Sequence, residues 1–147
     1  MRLALFMLIT ALLHVTCTFR VVSPKAFQSS SQDFDASDGF ITITVTFNED
    51  VDKNTVVIGK TFILVTEKVP NAPGAFIPTP DPRKLIFKTT SKVSDLLTFD
   101  PDGFFSLKMI GSDTGDGAIK TVNGRHLDGD GNNTNGGDYS TSFVIVG

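Results

Sequence analysis

The densest run of oxygen-bearing side chains lies between Leu127 and Tyr139, in the order Asp-Gly-Asp-Gly-Asn-Asn-Thr-Asn-Gly-Gly-Asp. Asp128, Asp130 and Asn132 fall at alternate positions. That spacing lets hard oxygen ligands converge on a calcium ion in a tight loop that glycine permits, with Asp138 able to close the shell. The run departs from an EF-hand loop, whose sixth residue is Gly and twelfth Glu; here Asn133 and Tyr139 stand there, and no helix flanks the run. The expected affinity is that of an extracellular site, on the order of 10⁻⁴–10⁻³ M. The same residues also read as Asx-turns in a long hairpin connection. Repulsion among acids with no basic residue between them favours an ion, and both readings stand. Asp113 and Asp116 would add ligands if their loop folded alongside. Asn132-Asn-Thr134 is a glycosylation sequon, effective only in a eukaryotic secretory pathway, where a glycan would compete with calcium.

Other groupings carry less. Glu49, Asp50 and Asp52 cluster after an alternating segment and read as a solvated strand end. Asp113-Thr-Gly115 spells an aspartic-protease triplet. It lacks the buried hydrophobic strand that chemistry needs before it, and Gly111-Ser112 stand there instead. Gly59-Lys-Thr61 ends like a phosphate loop, but Asn54 occupies the position of the required glycine. No G-x-S-x-G occurs. His126 is the one histidine beyond the N-terminal segment, so a Ser/His/Asp triad and a histidine zinc site have no supporting set. The expectation is a protein that is not an enzyme.

Composition narrows the classes further. The chain has 147 residues, 20% of them charged and 40% hydrophobic, enough to bury the core of one domain. A net charge of −3 without a basic block argues against nucleic acid as a partner. One cysteine excludes a disulfide scaffold and a cysteine-ligated zinc. With 13 Phe, one Tyr and no Trp, the aromatic core must be built from phenylalanine.

The N-terminus reads as a cleavable signal peptide over residues 1–17. Arg2 is its basic start, Leu3 to Leu13 are almost wholly apolar, and His14 to Cys17 form a small polar exit. Leu3 to Leu13 as a helix would extend about 16 Å, too short to span a hydrocarbon core of about 30 Å, so no membrane span is expected. A buried first strand or helix is the competing reading. Cleavage after Cys17 would leave a cysteine-free domain at residues 18–147, secreted or displayed at the cell surface. Lipid attachment to Cys17 is disfavoured by Thr16 before it.

The elements that must position these side chains are strands. Ile41, Ile43, Val45 and Phe47 alternate with Thr42, Thr44 and Thr46, the period of two of a half-buried strand. Further strands are expected at residues 19–23, 61–66, 84–89, 104–110 and 139–146, with a short one at Val56–Ile58. Asn71-Ala-Pro-Gly74, Pro78 to Pro82, Asp100-Pro-Asp-Gly103 and Asn123-Gly124 carry turn chemistry, and residues 28–39 read as loop. Ser91 to Leu97 allows one helical turn. The pattern predicts an all-β antiparallel sandwich of about seven strands.

ITITVTFNEDVDKNTV (residues 41–56), KLIFKT (84–89), FFSLKMIG (104–111) and GRHLDGDGNNTNGGDYSTSFVI (124–145) follow one another in an order that resembles bacterial Ig-like domains of S-layer proteins and surface adhesins. The resemblance spans roughly residues 19–147. It departs at Phe104, where the family has Tyr, in the long loop before residue 41, and at Lys68–Asp81, which look inserted. It implies an Ig-like sandwich acting as a non-enzymatic structural or adhesion module, with neighbouring Ig-like modules as candidate partners and calcium stiffening the 128–138 loop. The antibody-type Cys…Trp…Cys core is absent, so Phe47, Phe62, Phe87, Phe105 and Phe143 must fill its place. The alternative is a small extracellular carbohydrate- or ligand-binding module. The lack of Trp weakens it, because sugar sites want an exposed aromatic platform.

Overall fold

The computed structural model describes residues 17–25, 33–113, 115 and 117–146. The expected signal peptide, apart from Cys17, lies outside the described residues, as does Asp116.

Alternation builds the first sheet. Ile43, Val45 and Phe47 of β3 (Thr42–Phe47) are buried, while the intervening threonines are half-exposed. β3 pairs with β1 (Val21–Ser23) and β2 (Phe34–Asp35) along one side and with β6 (Lys84–Thr89) along the other; β6 in turn pairs with β5 (Gly74–Ile77). The second sheet runs β4 (Phe62–Thr66), β7 (Asp102–Met109), β8 (Tyr139–Val146). Every pairing between these strands is antiparallel. The protein is an all-β sandwich. With β2 set aside, the orders β1-β3-β6-β5 and β4-β7-β8 reproduce the A-B-E-D and C-F-G sheets of the constant-type immunoglobulin arrangement.

Phenylalanine fills the gap between the sheets, as the composition requires. Phe47, Phe62, Phe87, Phe105 and Phe143 are each at most 2% exposed. Phe105 and Phe143, cross-strand partners, stack with centroids 4.9 Å apart, and Phe62 reaches Phe87 of the opposite sheet at 5.1 Å. Burial of each such ring stabilises by about 1.5–3 kcal/mol. Phe34 meets both Phe105 and Phe143 edge-on, which is why the short β2 forms inside a stretch whose composition reads as loop.

Two further differences from the sequence pattern have physical causes. Val56–Ile58 does not form a strand: a single 3-10 turn at Lys53–Thr55, capped by the Asp52 carboxylate, precedes it, and Ile58 keeps only one bridge, to Phe62. The Lys68–Asp81 segment contributes β5 rather than a bare insertion. Phe76 faces the core, and a side chain on Gly74 would overlap the Phe87 ring and the Lys88 carbonyl, so glycine permits the close approach to β6. The expected helical turn is α1 (Val93–Leu96), which buries Leu96.

Candidate functional site

The connection from β7 to β8 holds the acidic run, and apolar residues anchor it. Ile119 and Leu127 are fully buried, and their backbones bond in series: Leu127 N–H to Ile119 O, and Ile119 N–H to Ile110 O. The next residue, Asp128, donates its N–H to Phe19 O at 2.7 Å, which ties the loop to the chain just before β1. Gly129 lies against the backbone of residues 137–139 so closely that a Cβ there would overlap Gly137 O and Tyr139 N.

The four expected ligands divide. Asp128, only 2% exposed, accepts from Thr18 Oγ1 at 2.6 Å and Asn133 N–H at 3.1 Å through one oxygen, and from Asn132 N–H at 3.1 Å through the other. Asp130 is exposed and accepts from Asn132 N–H and Nδ2 at 3.3 and 3.2 Å. Asn132 Oδ1 accepts from Thr134 N–H at 2.8 Å, and this sequon asparagine is exposed. These three share one loop, held by Asx-type bonds. Asp138 is engaged elsewhere: its Oδ1 accepts from Gly111 N–H, Ser112 N–H and Ser112 Oγ at 3.1, 3.2 and 2.6 Å. Among the described residues, no group of three or more His, Cys, Asp or Glu side chains is placed to hold a metal.

The carboxyls of buried Asp128 and half-buried Asp138 are both held below the usual carboxylate range. Burial of Asp128 opposes its charge, but the Thr18 hydroxyl, the Asp130 carboxyl and the Asn133 and Asn132 N–H groups together outweigh it. For Asp138 burial is likewise outweighed, by the Ser112 hydroxyl and N–H, the Gly111 N–H and the Lys108 charge. Tyr139 moves the other way: burial raises its phenol, whose OH donates to Pro24 O at 2.6 Å.

Around Asp128 lie groups that local sequence could not nominate. Arg20 Nη2 donates to Thr18 Oγ1 and Asn133 Oδ1, each at 3.3 Å. Arg125 pairs with Glu49 and reaches Cys17 O at 3.4 Å. A cavity of about 360 Å³ opens here, lined by Cys17, Thr18, Arg125, Asn133, Thr134 and Asn135. Thr18 and Asp128 are 110 residues apart in sequence. No spacing rule links them; the bonds from Thr18 Oγ1 to Asp128 and from Asp128 N–H to Phe19 O make the junction.

The second acidic cluster is dispersed among partners. Glu49 pairs with Arg125, Asp50 pairs with Arg83 at 3.2 Å, and Asp52 caps the 3-10 turn. Asp113 is exposed in the β7–β8 connection, and His126 Nδ1 lies 3.3 Å from Gly111 O. Glu67, which drew no attention in the sequence, accepts from Thr98 N–H, Thr98 Oγ1 and Phe104 N–H and so fastens the loop before β7.

No protein-family model matches the chain, and comparison with curated proteins finds no match either. Among the described residues no helix is long and apolar enough to cross a membrane.

Proposed function

We propose that this protein is a non-enzymatic Ig-like module, exported to the cell surface or beyond, with a structural or adhesive role. The observation that carries the reading is the strand order, A-B-E-D facing C-F-G, on a chain whose N-terminus has the composition of a signal peptide. The resemblance to bacterial surface Ig-like domains points the same way. Three loop carboxylates also support it, since Asp128, Asp138 and Glu67 each spend two or more hydrogen bonds on backbone groups of this chain.

The full chain, exported through its own leader and purified, should give no turnover on a hydrolase substrate panel and flat curves on a glycan array with or without calcium. Turnover abolished by Asp113→Asn would overturn the non-enzymatic reading. Saturable glycan binding would replace it with the carbohydrate-binding alternative.

Calcium at the 128–138 loop belongs to the reading as a stiffening ion, and burial of Asp128 favours a cation nearby. A melting temperature that rises with calcium, and no longer rises in Asp128→Ala/Asp130→Ala, would establish it. An unchanged melting temperature up to several millimolar, the extracellular range of roughly 10⁻⁴–10⁻³ M being then exceeded, would remove it.

A further inference from the structure

The outer face of the β4-β7-β8 sheet gathers apolar surface that the core does not use. Four of the eight large hydrophobic residues exposed among the described residues, Val65, Phe104, Val144 and Val146, share it, with Phe104 half exposed. Alternation turns them outward, because their neighbours Leu64, Phe105 and Phe143 fill the core. The strand register makes the four contiguous. Phe104 is the direct partner of Val144, while Val65, opposite Ser106, and Val146, opposite Asp102, lie diagonally from it within reach of an aromatic ring. The central strands of the other sheet turn Thr42, Thr44, Thr46, Lys84 and Lys88 outward, with Ile86 among them.

Charge sorts along the same face. Lys108 is the outward residue at one end of β7 and Asp102 at the other, separated by about 20 Å of strand. Glu67 lies at the Asp102 end and accepts from Phe104 N–H at 3.3 Å; the Thr98 N–H and hydroxyl and that bond keep its carboxyl charged. Lys108 makes a loose pair with Asp138 at 3.9 Å, both side chains a third or more exposed, a surface contact worth little. At the opposite end Lys68 spends its ammonium on Ser94 O at 2.8 Å. The face is apolar in the middle, positive at one end and negative at the other.

We infer that this face binds a second copy of the chain, about a two-fold axis that lies between the facing sheets and runs across the strands. That axis lays β7 antiparallel over its counterpart, so Lys108 of each copy faces the Asp102 and Glu67 end of the other while the apolar patches around Phe104 meet. An axis along the strands would set Lys108 against Lys108, and like charges across an interface are costly. Strands of the two copies would then cross at about 30°, as in aligned sheet packing. Three strands of up to eight residues, at about 3.4 Å per residue and about 4.8 Å between strands, present about 400 Å² per copy. About 800 Å² in all lies below the roughly 1,200 Å² of a stable complex, so the contact is weak and reversible. The inference goes beyond the module reading and stands apart from it, since it needs neither export nor an ion at the 128–138 loop.

Analytical ultracentrifugation of the full chain, exported through its own leader and purified, reads the contact. A dimer with a dissociation constant of about 10–100 μM is expected. Lys108→Asp and Asp102→Lys each place like charges across the interface and should weaken it by about tenfold or more. The double variant Lys108→Asp/Asp102→Lys should bring it back to within about threefold of the wild type. A monomer at every concentration up to about 1 mM overturns the inference. A dimer indifferent to both single variants overturns it too, placing the contact on another face or a sheet edge, and so does a dimer that the double variant fails to restore. Should a charge variant not fold, Val144→Lys decides, because that side chain is exposed. Loss of the dimer with a folded monomer supports the face, and a dimer that persists overturns it.

Discussion

The two acidic regions, residues 49–52 and 128–138, look alike in sequence and do opposite things in the fold. At 49–52 the carboxylates stay at the surface and take arginines from elsewhere or cap a turn, with Asp50 and its partner Arg83 both about half exposed. At 128–138 Asp128 enters the protein and Asp138 is half-buried, and both are satisfied by hydroxyls and backbone N–H groups. Surface pairs exchange one well-solvated state for another and are worth little, whereas a buried acceptor cannot be removed without stranding its donors. The difference lies in burial and partners, not in residue type.

Asp128→Ala is the largest expected break. It leaves the Thr18 hydroxyl and the Asn133 and Asn132 N–H groups without their acceptor, at a cost of about 3 kcal/mol. A fall in melting temperature of roughly 6–12 °C would report it. Asp138→Ala comes next, about 2 kcal/mol, because the Gly111 and Ser112 N–H groups lose their acceptor; denaturant midpoints measure it. The Asp128 loss should not shrink in high salt, since no ion pair of the described residues includes that carboxylate.

The surface cluster should respond differently. Glu49→Gln should cost about 0.5–1 kcal/mol, most of it gone at about 1 M salt, where the Debye length falls to about 3 Å. Asp50→Asn should stay under about 0.5 kcal/mol. Equal losses at Asp50 and Asp128 would dissolve the comparison.

Glu67 sharpens it from the exposed side, since its bonds run to backbone as those of Asp128 do. Hydrogen bonds from Thr98 and Phe104 lower its carboxyl below the ordinary 4.5. A lowered folded value means a contribution to stability that is complete above the ordinary value and lost as pH falls through the folded one. Glu67→Gln should therefore flatten the acid limb of the melting profile below about pH 4.5 and change little at neutral pH. An unaltered acid limb would show that these bonds do not persist in solution.

Much of this was legible beforehand because it is local. Strand β3 follows from its alternation, β6 and β8 appear at the residues the pattern marks, and the five named phenylalanines lie in the core. Strands β2 and β5 were illegible because tertiary contact sustains them: Phe34 inserts between Phe105 and Phe143, and Gly74 lies tight against Phe87. At the acidic loop, Asp128, Asp130 and Asn132, which alternate in sequence, bond within one loop. Asp138 joins the 111–112 turn instead, a partner no pattern of alternate positions could indicate.

What the sequence determined by itself is the class: alternation with β-branched residues, frequent turn residues and a phenylalanine-rich composition admit an antiparallel sandwich and little else, because side-chain period and backbone preference act over neighbouring residues. What only the tertiary structure decided is the state of each carboxylate. Burial and hydrogen-bond partners come from segments such as Thr18 and Asp128, 110 residues apart, and meet only when the sheets close.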